Sequence, residues 1–231
     1  MTGAASAYYD GIATSYDAQV DTAYNRAVRE CFWRCAQSVL RPSSRILDFG
    51  AGTGIDAEHF ATLGHFVAAC DYSHGMLQVL RRRCATLIGD GRVVPVVGEL
   101  GEAAAVLEEL APFDAILSNF AVFSTIHDLQ PVLALFSKLL RPGGLLLILV
   151  QNPWDRQQIK TGAFWKSLLA SPFRGALRYV SPDQGEVWHR TPAQIARAAR
   201  QDFAPTARTR VAGRACFGAG SHFKLVELSR R

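Results

Sequence analysis

Apolar and polar positions recur with two different periods along this 231-residue chain, and the changes between them divide it into elements. Two amphipathic stretches, about Ala5 to Tyr16 and Thr22 to Leu40, open the protein with apolar residues at helical spacing. Arg41-Pro42-Ser43-Ser44 closes the second. Short apolar runs follow at Arg45–Phe49, Phe66–Cys70, Val93–Val97, Ala115–Ser118 and Leu145–Gln151, and their continuity predicts strands buried on both faces. Helical spacing at 55–63, 74–87, 101–110 and 129–140 separates them, with Arg141-Pro142-Gly143-Gly144 as a helix stop and turn before the fifth strand. Strands alternating with helices predict a parallel sheet covered on both sides. Beyond residue 190 come a helix at about Thr191–Asp202 and two alternating runs, Thr206–Cys216 and His222–Leu228, separated by Gly218-Ala219-Gly220. So short a connection predicts an antiparallel hairpin, because a parallel pair needs a crossover of roughly a dozen residues.

Residues 152–190 do not share the alternation. They hold three of the four tryptophans (Trp154, Trp165, Trp188), several arginines and several Pro/Gly breaks. Inserted after the fifth strand, they would lie over the carboxyl ends of the sheet, where open α/β sheets bind ligands, and they form the candidate lid. The expected organisation is one domain over 1–231: N-terminal helices 1–44, a cofactor-binding core 45–151, the lid and acceptor insertion 152–190, and the last helix with its hairpin 191–231.

Composition sharpens this only in places. With 49% hydrophobic and 19% charged residues the chain can bury one sizeable core. No apolar run approaches the ~20 residues needed to span a bilayer, and the first residues lack the pattern of a secretory signal, so a cytoplasmic protein is expected. Cys31, Cys35, Cys70, Cys84 and Cys216 form no C-x-x-C pair and read as buried free thiols; no metal site is expected. Residues 1–154 carry 11 Lys+Arg against 15 Asp+Glu, whereas 155–231 carry 14 against 5. A basic C-terminal third suits an acidic small molecule, a nucleic acid or an ordinary solvated surface.

The residues with chemical content begin at Ile46-Leu47-Asp48-Phe49-Gly50-Ala51-Gly52-Thr53-Gly54, a strand that breaks into alternating glycines and then becomes a helix. Such glycines let backbone lie directly against a ligand, and the following helix points its N-terminal amides at it. A dinucleotide fingerprint reads G-x-G-x-x-G; here the third glycine comes one residue early and an acid, Asp48, precedes the first. Asp71, ending the second strand, can accept hydrogen bonds from both hydroxyls of a ribose, as any adenosyl cofactor requires.

The pattern Asp48-x-Gly50-x-Gly52-x-Gly54 resembles motif I of the class I S-adenosylmethionine (SAM)-dependent methyltransferases. Three further stretches are similar to that family: Asp71-x-Ser73-x-x-Met76-Leu77, the Ser118-Asn119 segment, and the opening Tyr8-Tyr9-Asp10-x-Ile12-Ala13-x-x-Tyr16-Asp17. The resemblance implies a Rossmann-like α/β fold: a seven-stranded, mostly parallel sheet with an antiparallel last strand, helices on both faces and a helical lid after strand five. It also implies SAM as cofactor, held by Tyr16, Asp48, Gly50, Ala51, Gly52, Gly54, Asp71, Tyr72, Met76, Glu99, Leu100, Asn119 and Phe120. Glu99 matches the position that meets the adenine amino group. Tyr8, Phe123, Trp154, Trp165, Arg178 and Arg190 are the candidate acceptor-binding residues. Arg156, Arg174, Arg178 and Arg190 offer forks for a carboxylate or phosphate. His189, at the end of the lid, is the candidate general base. The expected reaction is methylation of a small acidic or aromatic metabolite, on oxygen before nitrogen or carbon, by a monomer or homodimer. The absence of [DN]-P-P-[YFW] after strand four disfavours base methylation. The competing readings are an RNA-modifying enzyme using the basic tail, a non-catalytic SAM-binding protein and, opposed by the glycine spacing, an NAD-dependent oxidoreductase.

Overall fold

The structure, a computed structural model, describes residues 3–120, 122–154, 160, 162, 165, 176–181, 185–207, 217 and 221–231. Three helices, α1 (Gly3–Ile12), α2 (Tyr16–Val20) and α3 (Ala23–Gln37), precede the sheet. The first expected helix therefore ends four residues early and a new one begins at Tyr16. Thr22 starts α3 by accepting a hydrogen bond from the Asn25 amide at 3.1 Å.

The alternation then follows as β1 (Arg45–Phe49), α4 (Ile55–Thr62), β2 (Phe66–Asp71), α5 (His74–Arg83), α6 (Ala85–Gly89), β3 (Val93–Val97), α7 (Leu100–Leu110), β4 (Phe113–Ser118), α8 (Gln130–Leu139) and β5 (Leu140–Gln151). The stretch 74–87, expected as one helix, divides at Cys84. The Arg141-Pro142-Gly143-Gly144 element is not a turn outside the sheet but the start of β5. Phe113 pairs with Leu140 and Ala115 with Leu145, so the extra residues bulge out. Asp114 holds the irregularity by accepting from the Arg45 amide and the Arg141 guanidinium.

The chain continues through β6 (Leu177–Ser181), β7 (Gly185–His189), α9 (Pro192–Ala198), β8 (Phe203–Pro205) and β9 (Phe223–Arg230). The main sheet has the order β3-β2-β1-β4-β5-β9-β8. Its first five strands are parallel, and β9 runs antiparallel between β5 and β8. This is the expected Rossmann-like sheet. Two local expectations change. The arm paired with β9 lies at 203–205, while 208–216 fall outside the described residues. Among described residues the 152–190 insertion adds an antiparallel pair, β6 with β7, to helical backbone at Gly162 and Trp165. Leu177-Arg178-Tyr179-Val180 and Glu186-Val187-Trp188-His189 alternate with period two, which suits strands.

Alternation along each central strand sends neighbours to opposite faces. Ile46, Val67, Ala115 and Leu147 pack with Phe32, Phe60, Leu77 and Leu80 of α3, α4 and α5. Leu47, Ala68, Ile116 and Leu146 pack with Leu107, Phe136, Leu139 and Ile195 of α7, α8 and α9. Cys35, Cys70 and Cys84 are buried free thiols as expected, whereas Cys31 is disulfide-bonded. Cys216 lies outside the described residues. Among the described residues no helix is long and apolar enough to cross a membrane.

Candidate active site

From β1 the chain builds outward to β2 and β3, then returns to the other side through β4 and β5. Helices leave opposite faces at that reversal and a crevice opens at the carboxyl ends of β1 and β4. A cavity of about 440 Å³ lies there.

The glycine turn forms one wall. The Gly50 and Ala51 amides both donate to the Cys70 carbonyl, at 2.8 and 3.0 Å. The three motif glycines all have positive φ, at 81°, 53° and 86°, but for different reasons. A Cβ at Gly50 would lie 2.4 Å from Val122 Cγ2, and one at Gly54 would lie 2.6 Å from Leu80 Cγ. At Gly52 a Cβ would meet nothing within 4 Å. Only Gly52 leaves empty space over the turn.

Asp71 locks this turn to β2. Its Oδ2 accepts from the Gly52 amide and its Oδ1 from the Ser73 amide, each at 2.8 Å. Burial pushes the carboxyl pKa upward, and the backbone amides of Ser73, Gly52 and Tyr72 pull against that rise. The carboxylate is thus fixed in the cavity wall, and each oxygen keeps acceptor capacity for a further donor.

The N-terminal helices roof the cavity, and two acids of the opening motif tie them down. Asp10 accepts from Ser73 Oγ at 2.6 Å and from the Gly75 amide at 2.8 Å, and these bonds lower its pKa. Asp17 accepts from Thr53 Oγ1 at 2.6 Å and pairs with Arg83. Tyr9, Tyr16 and Tyr72 consequently line the cavity, packed edge to face. Burial raises the pKa of all three, so they stay neutral phenols.

Opposite them, Asp56 in the first turn of α4 accepts from Trp33 Nε1 at 2.7 Å and Asn119 Nδ2 at 2.9 Å. The Arg29 Nε stands 3.8 Å from Asp56, and its guanidinium lies 4.8 Å from the Phe120 ring centre. Phe120 has φ 48°, a left-handed conformation that costs a non-glycine residue about 1–2 kcal/mol. Its amide bonds to Asn119 Oδ1 at 2.8 Å, which offsets part of that cost. Asp48 is buried beneath, and its Oδ2 has no hydrogen-bond partner. Burial, then the carboxyls of Asp56 and Asp71, raise its pKa well above the usual range, while Arg29 acts in the opposite sense.

This arrangement fits SAM. Asp71 suits ribose hydroxyls, the void over Gly52 admits the ligand, and the tyrosine faces suit a sulfonium. The carboxyls of Asp48 and Asp56, close enough to influence one another, would gain from an ammonium group nearby. Arg29, the one Lys or Arg side chain lining the cavity among the described residues, would hold the methionyl carboxylate. Arg29→Gln is accordingly expected to weaken S-adenosylhomocysteine (SAH) binding about 10- to 100-fold, the effect of losing a charge-assisted bond of ~1.5–3 kcal/mol. Methylthioadenosine, which lacks the carboxylate, should bind both proteins alike. Calorimetry with the two ligands checks this, and an equal loss for both would remove Arg29 from that role.

Of the expected cofactor residues, the structure brings Tyr16, Gly50, Ala51, Gly52, Asp71, Tyr72, Met76, Asn119 and Phe120 to the cavity. Asp48 lies underneath it. Gly54 begins α4 against Leu80. Glu99 begins α7 in a reciprocal capping box with Glu102, and neither it nor Leu100 lines the cavity. The acceptor candidates do not line it either. Tyr8 packs edge-on against Tyr9, and Phe123 is in the core. Trp154 and Trp165 are exposed. Arg178 pairs with Glu186, and Arg190 donates to the Phe123 and His127 carbonyls. Arg156 and Arg174 are outside the described residues. His189 is buried behind the cavity wall against Tyr179, and burial with the charge of His222 pulls its pKa down to about 4. In place of these, Gln151, His222 and Phe223 line the cavity where β5 ends and β9 begins, and Tyr24 and Asn25 of α3 and Val187 of β7 also line it.

Residues 46–144 match the family model described as a methyltransferase domain. A demethylmenaquinone methyltransferase from Thermobifida fusca is 32% identical over 207 residues, covering 78% of this chain and 80% of that protein. The chain belongs to the class I SAM-dependent methyltransferases. A demethylmenaquinone methyltransferase from Streptomyces griseus is 30% identical over 146 residues, a match spanning 61% of this chain and 57% of that relative. Among solved structures, the 1,6-didemethyltoxoflavin N1-methyltransferase of Burkholderia thailandensis, with bound 1,6-didemethyltoxoflavin and SAH, superposes with a TM-score of 0.62. It is 23% identical and covers 98% of this chain and 88% of the other. A TehB-like methyltransferase from Corynebacterium glutamicum gives a TM-score of 0.60 at 15% identity over the whole of both chains.

SAM supplies this methyltransferase with an electrophilic methyl group on an excellent leaving group. What remains for the protein is alignment and exclusion of water. The N-terminal helices tied by Asp10 and Asp17 would shelter the cofactor through Tyr9 and Tyr16 in the cavity wall.

Proposed function

We propose that this methyltransferase acts on a small hydroxylated aromatic molecule and transfers the methyl group to oxygen. The observation that carries the reading is the make-up of the cavity wall. Phe120 and Phe223 meet edge to face with ring centres 5.7 Å apart, and with Val187 they give an apolar wall in a cavity that also presents Ser124, Thr125, Gln151 and His222. An aromatic ring suits such a wall, and the polar groups suit hydroxyls on its rim. The named relatives act on demethylmenaquinone, and the Burkholderia enzyme binds a fused heteroaromatic, both in keeping with a planar acceptor. An acidic acceptor has less to support it, because Arg178 and Arg190 are engaged elsewhere.

The β6–β7 hairpin acts as a lid for the acceptor. It forms a sheet separate from the seven-stranded one and sends Val187 into the cavity. Replacing residues 177–189 by a short Gly/Ser connection is expected to leave SAH affinity within a few-fold while transfer of tritium from labelled SAM to phenols and catechols is lost. Normal turnover by that variant would refute the lid. Transfer only to amines, to carbon or to RNA would refute the oxygen-acceptor reading.

A further inference from the structure

His222 stands in the cavity wall at the acceptor end, one residue before β9, and several contacts fix it there. The buried side chain of Asn152 donates from Nδ2 to the Ser221 carbonyl at 3.0 Å, and its backbone amide donates to the His222 carbonyl at 2.7 Å. The His222 ring packs at 89° against Phe223 with centres 4.8 Å apart. Its Nε2 lies 3.4 Å from the amide nitrogen of Gln151. When that amide donates, the neutral imidazole carries its proton on Nδ1 and presents the Nε2 lone pair beside Gln151. A group held by a rigid backbone and packed neighbours is preorganised for proton transfer.

The titratable and charged groups around it come from several elements. His189 of β7 is near enough for their charges to interact. Arg29 and Tyr24 of α3, Asp56 of α4 and Asp71 after the glycine turn line the same cavity. Asp56 and Asp71 are engaged by Trp33, Asn119 and backbone amides at the cofactor end. Of the two neighbouring imidazoles, His222 lines the cavity, whereas His189 is buried outside its lining.

We propose that His222 is the general base of the reaction and that an acceptor hydroxyl takes the place of the Gln151 amide as donor to its Nε2. The inference rests on the oxygen-acceptor reading. The hydroxyl proton passes to Nε2 as an oxygen lone pair forms the bond to the methyl carbon. The carbon–sulfur bond breaks with its electron pair remaining on sulfur, giving the methyl ether and SAH, and the imidazolium then releases the proton to solvent.

The test compares wild type with His222→Gln and His222→Asn, using SAH affinity by calorimetry to show that each variant folds with its cofactor site intact. With a phenol that wild type methylates, kcat is expected to fall about 10²–10⁴-fold near neutral pH, and the deficit should close as pH rises and the phenol ionises unaided. A second readout needs no turnover. In the SAH complex, 4-nitrocatechol should ionise at a pH at least one unit lower in wild type than in the variants, followed by its visible absorbance. The other charged groups are the same in all three proteins, so the difference isolates His222. Parallel pH–rate profiles and equal probe ionisation would overturn the assignment while leaving oxygen methylation standing. Transfer to amines or carbon alone, or no phenol bound beside SAH, would sink the reading on which it rests.

Discussion

Asp71→Ala is expected to weaken SAM and SAH at least ten-fold, and by up to about a hundred-fold. Asp71 performs two tasks at once. Its oxygens accept from the Gly52 and Ser73 amides, fixing the glycine turn against β2, and they face the cavity where an adenosyl ribose would donate. Alanine removes the ribose acceptor and also frees the turn. One lost hydrogen bond to a charged group costs roughly 1.5–3 kcal/mol, which is about 10- to 100-fold in affinity. Asp71→Asn keeps one oxygen acceptor and should fall between wild type and alanine. Calorimetry checks the order, and undiminished affinity in folded Asp71→Ala would remove this carboxylate from the binding site.

Gly52→Val and Gly50→Ala should separate binding from stability. A side chain at Gly52 projects into empty cavity, so the fold pays only for a branched residue at φ 53°, about 1–2 kcal/mol. The cofactor, however, loses its space, and SAH affinity should fall at least about 30-fold, the equivalent of ~2 kcal/mol of overpacking. Gly50→Ala should do the reverse. Its methyl would sit 2.4 Å from Val122 Cγ2 at φ 81°, so backbone strain and a clash together should destabilise the protein by roughly 2–5 kcal/mol. Denaturant unfolding beside calorimetry resolves the two effects. A Gly52→Val protein that binds SAH normally, or a Gly50→Ala protein of unchanged stability, would show that this division between the glycines is mistaken.

Much of this organisation was legible because it is local in sequence. Apolar runs and helical spacing place β1 to β5, and Asp48 to Gly54 can be recognised without knowing what packs on it. What escaped is brought together by the fold. Arg29 reads as one more polar position on α3, yet Asp56 and Phe120 hold it at the cavity. His222 follows a Gly/Ser segment, and only the pairing of β9 with β5, with Gln151 opposite Phe223, brings it to the acceptor end. His189 reads as the better base because it ends the insertion, but β7 places it on the same buried side as Val187 and outside the cavity lining. Glu99 shows a second kind of ambiguity: an acid after a strand suits a ligand and a helix start equally well, and Glu102 three residues on marks the helix start. The β6–β7 pair escaped because tryptophans and arginines obscure two short runs of period two within the insertion.

The most direct test of the account is a crystal structure of the SAH complex. The prediction is one SAH in the cavity over Gly52, with ribose hydroxyls on Asp71 and the methionyl carboxylate on Arg29, leaving the end lined by Phe223 and His222 for the acceptor. SAH bound elsewhere, or bound with its carboxylate at the His222 end, would contradict it.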